Sequence, residues 1–302
     1  MRGTGNLSDK FAEFNAIKQK AEAFMTAGGI LLGIAGIIIL LVSPVTASPD
    51  AVQAIGFVGA VIGGILLAIG GVRFSKLNRT FKNEVLVKVM RDLLPGTVYS
   101  PNSGLDPATV YRTECLKRAD RFRSEDLITG DFDGVAFRCS DVVLEEKHVE
   151  RTKDGYREYY VAFFTGRIFE VTFNKEFEGY LQVLEGGSPI SNRPFQKVAL
   201  ESIDFNKKFR TYSTNELSAF LVLTPDIMER MMQLEKENPG RISFSFTGST
   251  LYIALNNNKN TFELRPFRKI DDSMIEEFKK DFLVIKDIIT LLKLNQKIFK
   301  NN

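Results

Sequence analysis

His148 is the sole imidazole of the 302-residue chain, and it lies between Lys147 and Val149 in a charged stretch. A nucleophile–base pair or a zinc site needs partners at defined spacing, and none accompanies it. A solvated strand residue is expected instead. Cys115 and Cys139 are the only two thiols. In a reducing cytosol, where the elements described below place them, buried free thiols are expected rather than a disulfide. Asp131 and Asp133 alternate around Phe132. A calcium loop needs more oxygen ligands at regular spacing, so these two read as turn residues. Gly186-Gly187-Ser188 lacks the Gly-x4-Gly-Lys-Ser/Thr pattern of a phosphate loop. No catalytic residue, metal ligand or cofactor is assigned by these residues.

Charge narrows the partners. Lys plus Arg number 40 against 37 Asp plus Glu. The excess is concentrated before residue 95, where ten basic residues stand against six acidic ones. A nucleic-acid-binding domain would need clustered excess charge elsewhere in the chain, so no nucleic-acid partner is expected.

What must be positioned by this basic collar is a pair of apolar runs. From Ala27 to Val42 every residue is apolar or Gly, and from Ala51 to Val72 only Gln53 is polar. Neither run has a polar face, which sets them apart from core helices of a soluble protein. Each is long enough to cross a bilayer as a helix, over 26–45 and 52–73. Arg2, Lys10, Lys18 and Lys20 precede the first run, and Arg73, Lys76, Arg79 and Lys82 follow the second. The loop between them has no basic residue, so both termini are expected in the cytosol, with a multi-pass location in the inner (cytoplasmic) membrane. Val45-Thr46-Ala47 resembles a signal-peptidase site, but three acids in the preceding leader argue against cleavage. No ionisable residue interrupts either run, which argues against a proton relay.

Gly56, Ala60, Gly64 and Ala68 recur every fourth position of the second run and form a small-residue face for helix packing. That face serves either to pack the two spans together or to build a homo-oligomer. Leu7, Phe11, Phe14, Ala21 and Phe24 follow helical spacing before the first run, with Ser8 as N-cap; Phe74, Leu77, Phe81, Val85, Val89 and Leu93 do so after the second. These amphipathic flanks either lie on the membrane, with Arg73, Lys76, Arg79 and Lys82 at anionic headgroups, or form a stalk.

Residues 1–94 thus read as a membrane domain, with a juxtamembrane helix over 74–94, and 95–302 as a cytosolic β-rich α+β domain. Its expected strands include 127–129, 135–139, 142–149, 159–164, 168–173, 180–184, 198–205, 209–212 and 219–223. Lys153-Asp154-Gly155 and Thr247-Gly248-Ser249 read as hairpin turns, the second joining strands over 242–246 and 251–255. Thr224-Pro225-Asp226 starts a helix, and Ser273-x-x-Glu276 is read as the capping box of a C-terminal amphipathic helix. The 25 Phe residues most simply fill the core.

The string Phe164-x-Gly166, Phe173-Asn174-Lys175-x-Phe177-x-Gly179 and Val183-Leu184, followed by Leu200-Glu201-Ser202, Tyr212-Ser213-Thr214 and Leu223-Thr224-Pro225, resembles a bacterial family known as domain of unknown function 3137. The resemblance covers about residues 110–270 and includes the hairpin. It implies a membrane hairpin followed by a cytosolic domain, carries no activity, and implies a LemA-type membrane protein as a partner. The expected function is a binding or scaffold protein of a membrane assembly. An enzyme with an unrecognised carboxylate or Arg/Lys site, or a pore component, are the alternatives.

Overall fold

The computed structural model describes residues 4–45, 48–153 and 155–292. Thr46, Ala47 and Asp154, and with them the cleavage-like pattern and the centre of the Lys153–Gly155 turn, lie outside the described residues, as do the side chains of 4–8, Ser43 and 173–176. The chain is a mixed α+β protein that divides into two compact units. One holds Met1–Leu86 with Glu263–Glu277, the other Val87–Phe262 with Phe278–Asn302.

In the first unit, α1 (Thr4–Ile37) continues through a π turn at Ile38–Val42, and α2 (Pro49–Phe81) leads into a second π turn at Lys82–Leu86. Helix α1 already runs at Thr4, so Ser8 lies inside it and is not its cap. The amphipathic flanks are continuous with the apolar runs, because no Pro or Gly cap separates them. They pack on each other: Phe14 meets Phe81 edge-on at 5.5 Å.

The contact between the helices has a period of seven. Phe14, Ala21, Gly28 and Ala35 are buried on α1, and Gly56, Gly63, Gly70 and Leu77 are buried on α2. A methyl group on Gly63 would stand 2.9 Å from the Gly28 carbonyl oxygen, and one on Gly70 would stand 2.9 Å from that of Ala21. Without side chains at these positions the two backbones approach closely and gain dispersion contacts along their length. The other faces stay bare. Ile30, Leu40, Leu41, Phe57 and Val58 are exposed, and both helices are long and apolar enough to cross a membrane.

Residues 263–277 strap the polar end of this pair by backbone hydrogen bonds to side chains. Asn15 donates to the Ile270 carbonyl (2.8 Å) and accepts from its N–H (2.9 Å). Asn78 accepts from Leu264 N–H at 2.9 Å, and Glu22 accepts from Phe267 N–H at 2.6 Å.

The second unit is built on one seven-stranded antiparallel sheet. Helix α3 (Val87–Leu93) and β1 (Val98–Ser100) precede α4 (Pro107–Tyr111); then come β2 (Arg121–Phe132), β3 (Val135–Thr152), β4 (Gly155–Leu184) and β5 (Gln196–Val198). Helix α5 (Ile203–Lys208), β6 (Arg210–Ser213), α6 (Glu216–Val222), α7 (Pro225–Glu237), β7 (Arg241–Asn256) and α8 (Asp272–Leu291) complete the chain. The order is β1-β2-β3-β4-β6-β5, with β7 also paired to β4. Asp133 and Gly134, both at positive φ, make the β2–β3 turn, and Gly134 N–H donates to Asp131 Oδ1 at 2.8 Å.

Several expected elements change. The runs at 159–164, 168–173 and 180–184 are one strand, β4, and the supposed hairpin at 242–255 is one strand, β7. Gly248 (φ +53) and Gly179 (φ +90) lie at the same level of the β4–β7 ladder, where its register shifts. The glycines supply a shared bend rather than a reversal, a use that sequence alone does not distinguish from a turn. Residues 219–223, expected as a strand, lie almost wholly within α6, and 203–205 open α5 rather than extending a strand. Asp271, not Ser273, caps α8 by accepting from Met274 N–H at 3.0 Å.

Replacing Gly63 with Leu should drive the helices apart and lower stability by about 1–3 kcal/mol, as overpacked contacts do. Gly64 has no atom within 4 Å of where its Cβ would be, so Gly64→Leu should leave hairpin packing intact. Thermal unfolding of the detergent-solubilised proteins separates the two, and equal melting temperatures would contradict the seven-residue contact.

Candidate functional site

An accessible apolar surface of the second unit is formed by α5, α6 and α7. Each starts from a side-chain cap that the local sequence dictates. Ser202 Oγ accepts from Phe205 N–H (3.3 Å), Asn215 Oδ1 from Ser218 N–H (3.2 Å), and Thr224 Oγ1 from Ile227 N–H (3.4 Å). Helix α7 buries Ile227, Met228, Met231 and Leu234, the expected face. Helix α6 buries only Ser218, Ala219 and Val222, which leaves Leu217 (70% exposed), Phe220 (44%) and Leu221 (63%) in solvent.

Between these helices runs a groove of about 610 Å³. Leu200, Leu223, Met228 and Met232 line it with Phe220, and Glu201 and Glu229 add carboxylates. Asp204 also lines it and is paired with Lys207 at 3.1 Å. Lys208 fixes α5 against α7 through Glu235 (2.6 Å) and also reaches Glu185 (3.0 Å); these hydrogen bonds raise its pKa. The groove is an apolar trough with flexible thioethers and acidic margins. It can take a helix with an apolar stripe and basic flanks.

The residues singled out by sequence are placed as follows. Of the four-residue stripe, Gly56 is buried against Ile39 of the neighbouring turn, Ala60 is half-buried, and Gly64 and Ala68 are exposed. Among the basic residues, Arg73, Lys76 and Arg79 are exposed, Arg73 resting 4.5 Å over the Phe24 ring. Lys82 is buried and pairs with Glu263. His148 stacks on Tyr159 at 5.4 Å in the β3–β4 hairpin and is 3.9 Å from Glu146.

Cys115 and Cys139 are free thiols, the first half-buried and the second buried. Burial pushes Cys115 up to about 11 and Cys139 up to about 12, in the latter case against the pull of Arg167. The groove is not legible in the sequence because Ala219–Leu223 reads as a short extended run, whereas Ala219–Val222 belong to α6. The available sign was Asn215 before Glu216 and Ser218, a helix start that outweighs the short apolar run.

The fold and groove define an α+β chain with two apolar N-terminal helices and a sheet domain bearing an apolar groove between short helices. Residues 162–294 match the family described as "Protein of unknown function (DUF3137)". The match runs from within β4 to the end of the described chain. Among solved structures, the crystal structure of the mycobacterial trehalose monomycolate transport factor A, TtfA, is similar with a TM-score of 0.36 at 9% identity, covering 69% of this chain and 97% of that one. A comparison with curated proteins finds no match.

A thiol whose pKa is raised on folding stabilises the native state below its unfolded value and loses that contribution as the pH climbs. For Cys139 the loss should fall between about 9 and about 12. Denaturant unfolding across that range should show Cys139→Ala declining less steeply than the parent chain. Cys139 should also react slowly with a maleimide at neutral pH until the chain is unfolded; fast native labelling of it would contradict its burial.

Proposed function

We propose that this chain is an integral membrane protein whose helical hairpin crosses the cytoplasmic membrane and presents the β-rich unit in the cytosol as a docking platform. The hairpin reading is supported by exposed apolar side chains along both helices and by the absence of ionisable residues from Ala27 to Val42 and from Ala51 to Val72. Arg73, Lys76 and Arg79 sit where anionic headgroups would lie. The open side of α2, at Gly64 and Ala68, is left for lipid or for a second copy.

The acidic-edged groove carries the platform reading. Exposed Phe220, Leu221 and Leu217 cost solubility unless something covers them, and the carboxylates of Glu201 and Glu229 select a basic occupant. The occupant is an amphipathic helix of a partner protein, apolar on one side and flanked by Lys or Arg. The family resemblance makes a LemA-type membrane protein the first partner to test.

A photo-crosslinking residue at Leu221 should yield, in intact cells, an adduct to a peptide of that composition, and Glu229→Lys should reduce its yield several-fold without changing the melting temperature. Adducts only to lipid, or to a peptide unaffected by charge reversal, would overturn the groove as docking site.

For orientation, cysteines placed at Ser48 and Asn302 are probed with a membrane-impermeant thiol reagent on intact cells. Ser48 should label and Asn302 should not; the reverse pattern excludes cytosolic termini.

A further inference from the structure

The apolar stripe of α8 closes with Ile288, Ile289 and Leu292, all buried. Three and four residues further on, where a continuing stripe needs apolar side chains, stand Asn295 and Gln296. The chain goes on through Lys297-Ile298-Phe299-Lys300, two large apolar residues bracketed by lysines. Residues 293–302 hold three lysines and no acid, and they lie outside the described residues.

The groove between α5, α6 and α7 is the chemical complement of that segment. Its charged lining is Glu201, Asp204 and Glu229, with no lysine or arginine among the described lining residues, and Asp204 is paired with Lys207 at 3.1 Å. The end of α8 lies against the helix that walls this groove. Arg230 Nη1 donates to the Leu291 carbonyl at 2.9 Å, and the groove-lining Met228, Glu229 and Met232 flank Arg230 on α7. At the other end of α7, Glu237 lines one cavity together with Asp287. Helix α8 therefore runs antiparallel to α7 and leaves it towards Thr224 and Pro225, which also line the groove. Ile298 is seven residues beyond Leu291, a reach of roughly 23 Å extended. A helix with its side chains is about 10–12 Å across, so the segment can pass over α7 and enter the groove.

We propose that residues 297–300 of the chain itself dock in this groove, Ile298 and Phe299 against its apolar lining and the lysines at Glu201 and Glu229, and that a partner helix must displace them. This occupancy rests on the reading of the groove as a docking site, and it regulates that site. A tether makes docking intramolecular. At an effective concentration on the order of 1 mM, an affinity of only about 0.1 mM keeps about nine-tenths of the groove filled. A free peptide then meets a groove open about one-tenth of the time, and its apparent affinity falls roughly tenfold. The segment travels with every copy of the chain, so it covers Phe220 before any partner arrives.

The test uses the full-length detergent-solubilised protein with a photo-crosslinking phenylalanine derivative at Phe220. Irradiated in dilute solution, it should crosslink to residues 297–300 of the same chain. The paired changes Ile298→Asp and Phe299→Asp should cut that adduct by roughly tenfold or more. A fluorescent peptide of residues 293–302 should bind the double variant roughly tenfold more tightly than the parent chain, and Glu229→Lys should weaken its binding to both. Melting temperatures close to that of the parent establish that the variants fold. Equal peptide binding by the parent and the double variant overturns occupancy by the chain's own segment and leaves the groove open as a docking site. No peptide binding by a normally melting double variant overturns it too, as does a crosslink between two chains that dilution removes. Peptide binding that Glu229→Lys leaves unchanged counts instead against the groove itself.

Discussion

The ion pair between Asp141 and Arg167 is the constraint around which the sheet unit is organised. The two residues are direct partners in the β3–β4 register, and both are buried. Although burial works against its charge, Asp141 raises the pKa of Arg167 and keeps it protonated. Removing one member of such a pair strands a charge at a cost of about 3–5 kcal/mol, so the register of the two longest strands is tied to it. The pair also reaches beyond the sheet. Asp141 Oδ2 accepts from Thr261 N–H at 2.6 Å, and Arg167 donates to the α8 backbone. One salt bridge therefore fixes two strands, the segment after β7 and the last helix.

Around this pair the core is aromatic. Phe262 stacks on Phe282 at 4.2 Å, and Tyr99 meets both rings edge-on. The Tyr99 hydroxyl donates to Asp126, and burial followed by that carboxylate holds the phenol well above its usual range, so it stays neutral. The polar groups inside this core are thus paired almost throughout. The unpaired Nη2 of Arg167 stands out against that background.

The hairpin obeys a different constraint. Apolar side chains stay exposed on the outer faces of both helices, and close backbone approach supplies dispersion contacts between them. Seven-residue spacing of Gly and Ala on both helices permits it, and the bulky Phe14, Leu77 and Phe81 continue the same contact at the polar end. The helix groove of the sheet unit arises from a third condition. Helix α6 buries Ser218, Ala219 and Val222, and its other apolar residues, Leu217, Phe220 and Leu221, fall outside that buried face.

The sequence by itself determined the two apolar helices, the N-capped start of α7 and the β-rich character of the second unit. These follow from local properties: unbroken apolarity, Thr-Pro-Asp at a helix start, and β-branched and aromatic runs. It did not determine which small residues pack. Gly56, Ala60, Gly64 and Ala68 repeat every four residues, yet Gly56, Gly63 and Gly70 carry the contact, because the partner helix, not the spacing within one helix, selects the buried side. It also did not determine that Gly179 and Gly248 would bend paired strands, or that Ala219–Val222 would be helical, or that Arg167 would face Asp141. Each of these is decided by a residue distant in sequence, where cross-strand partners and long-range packing outweigh local propensity.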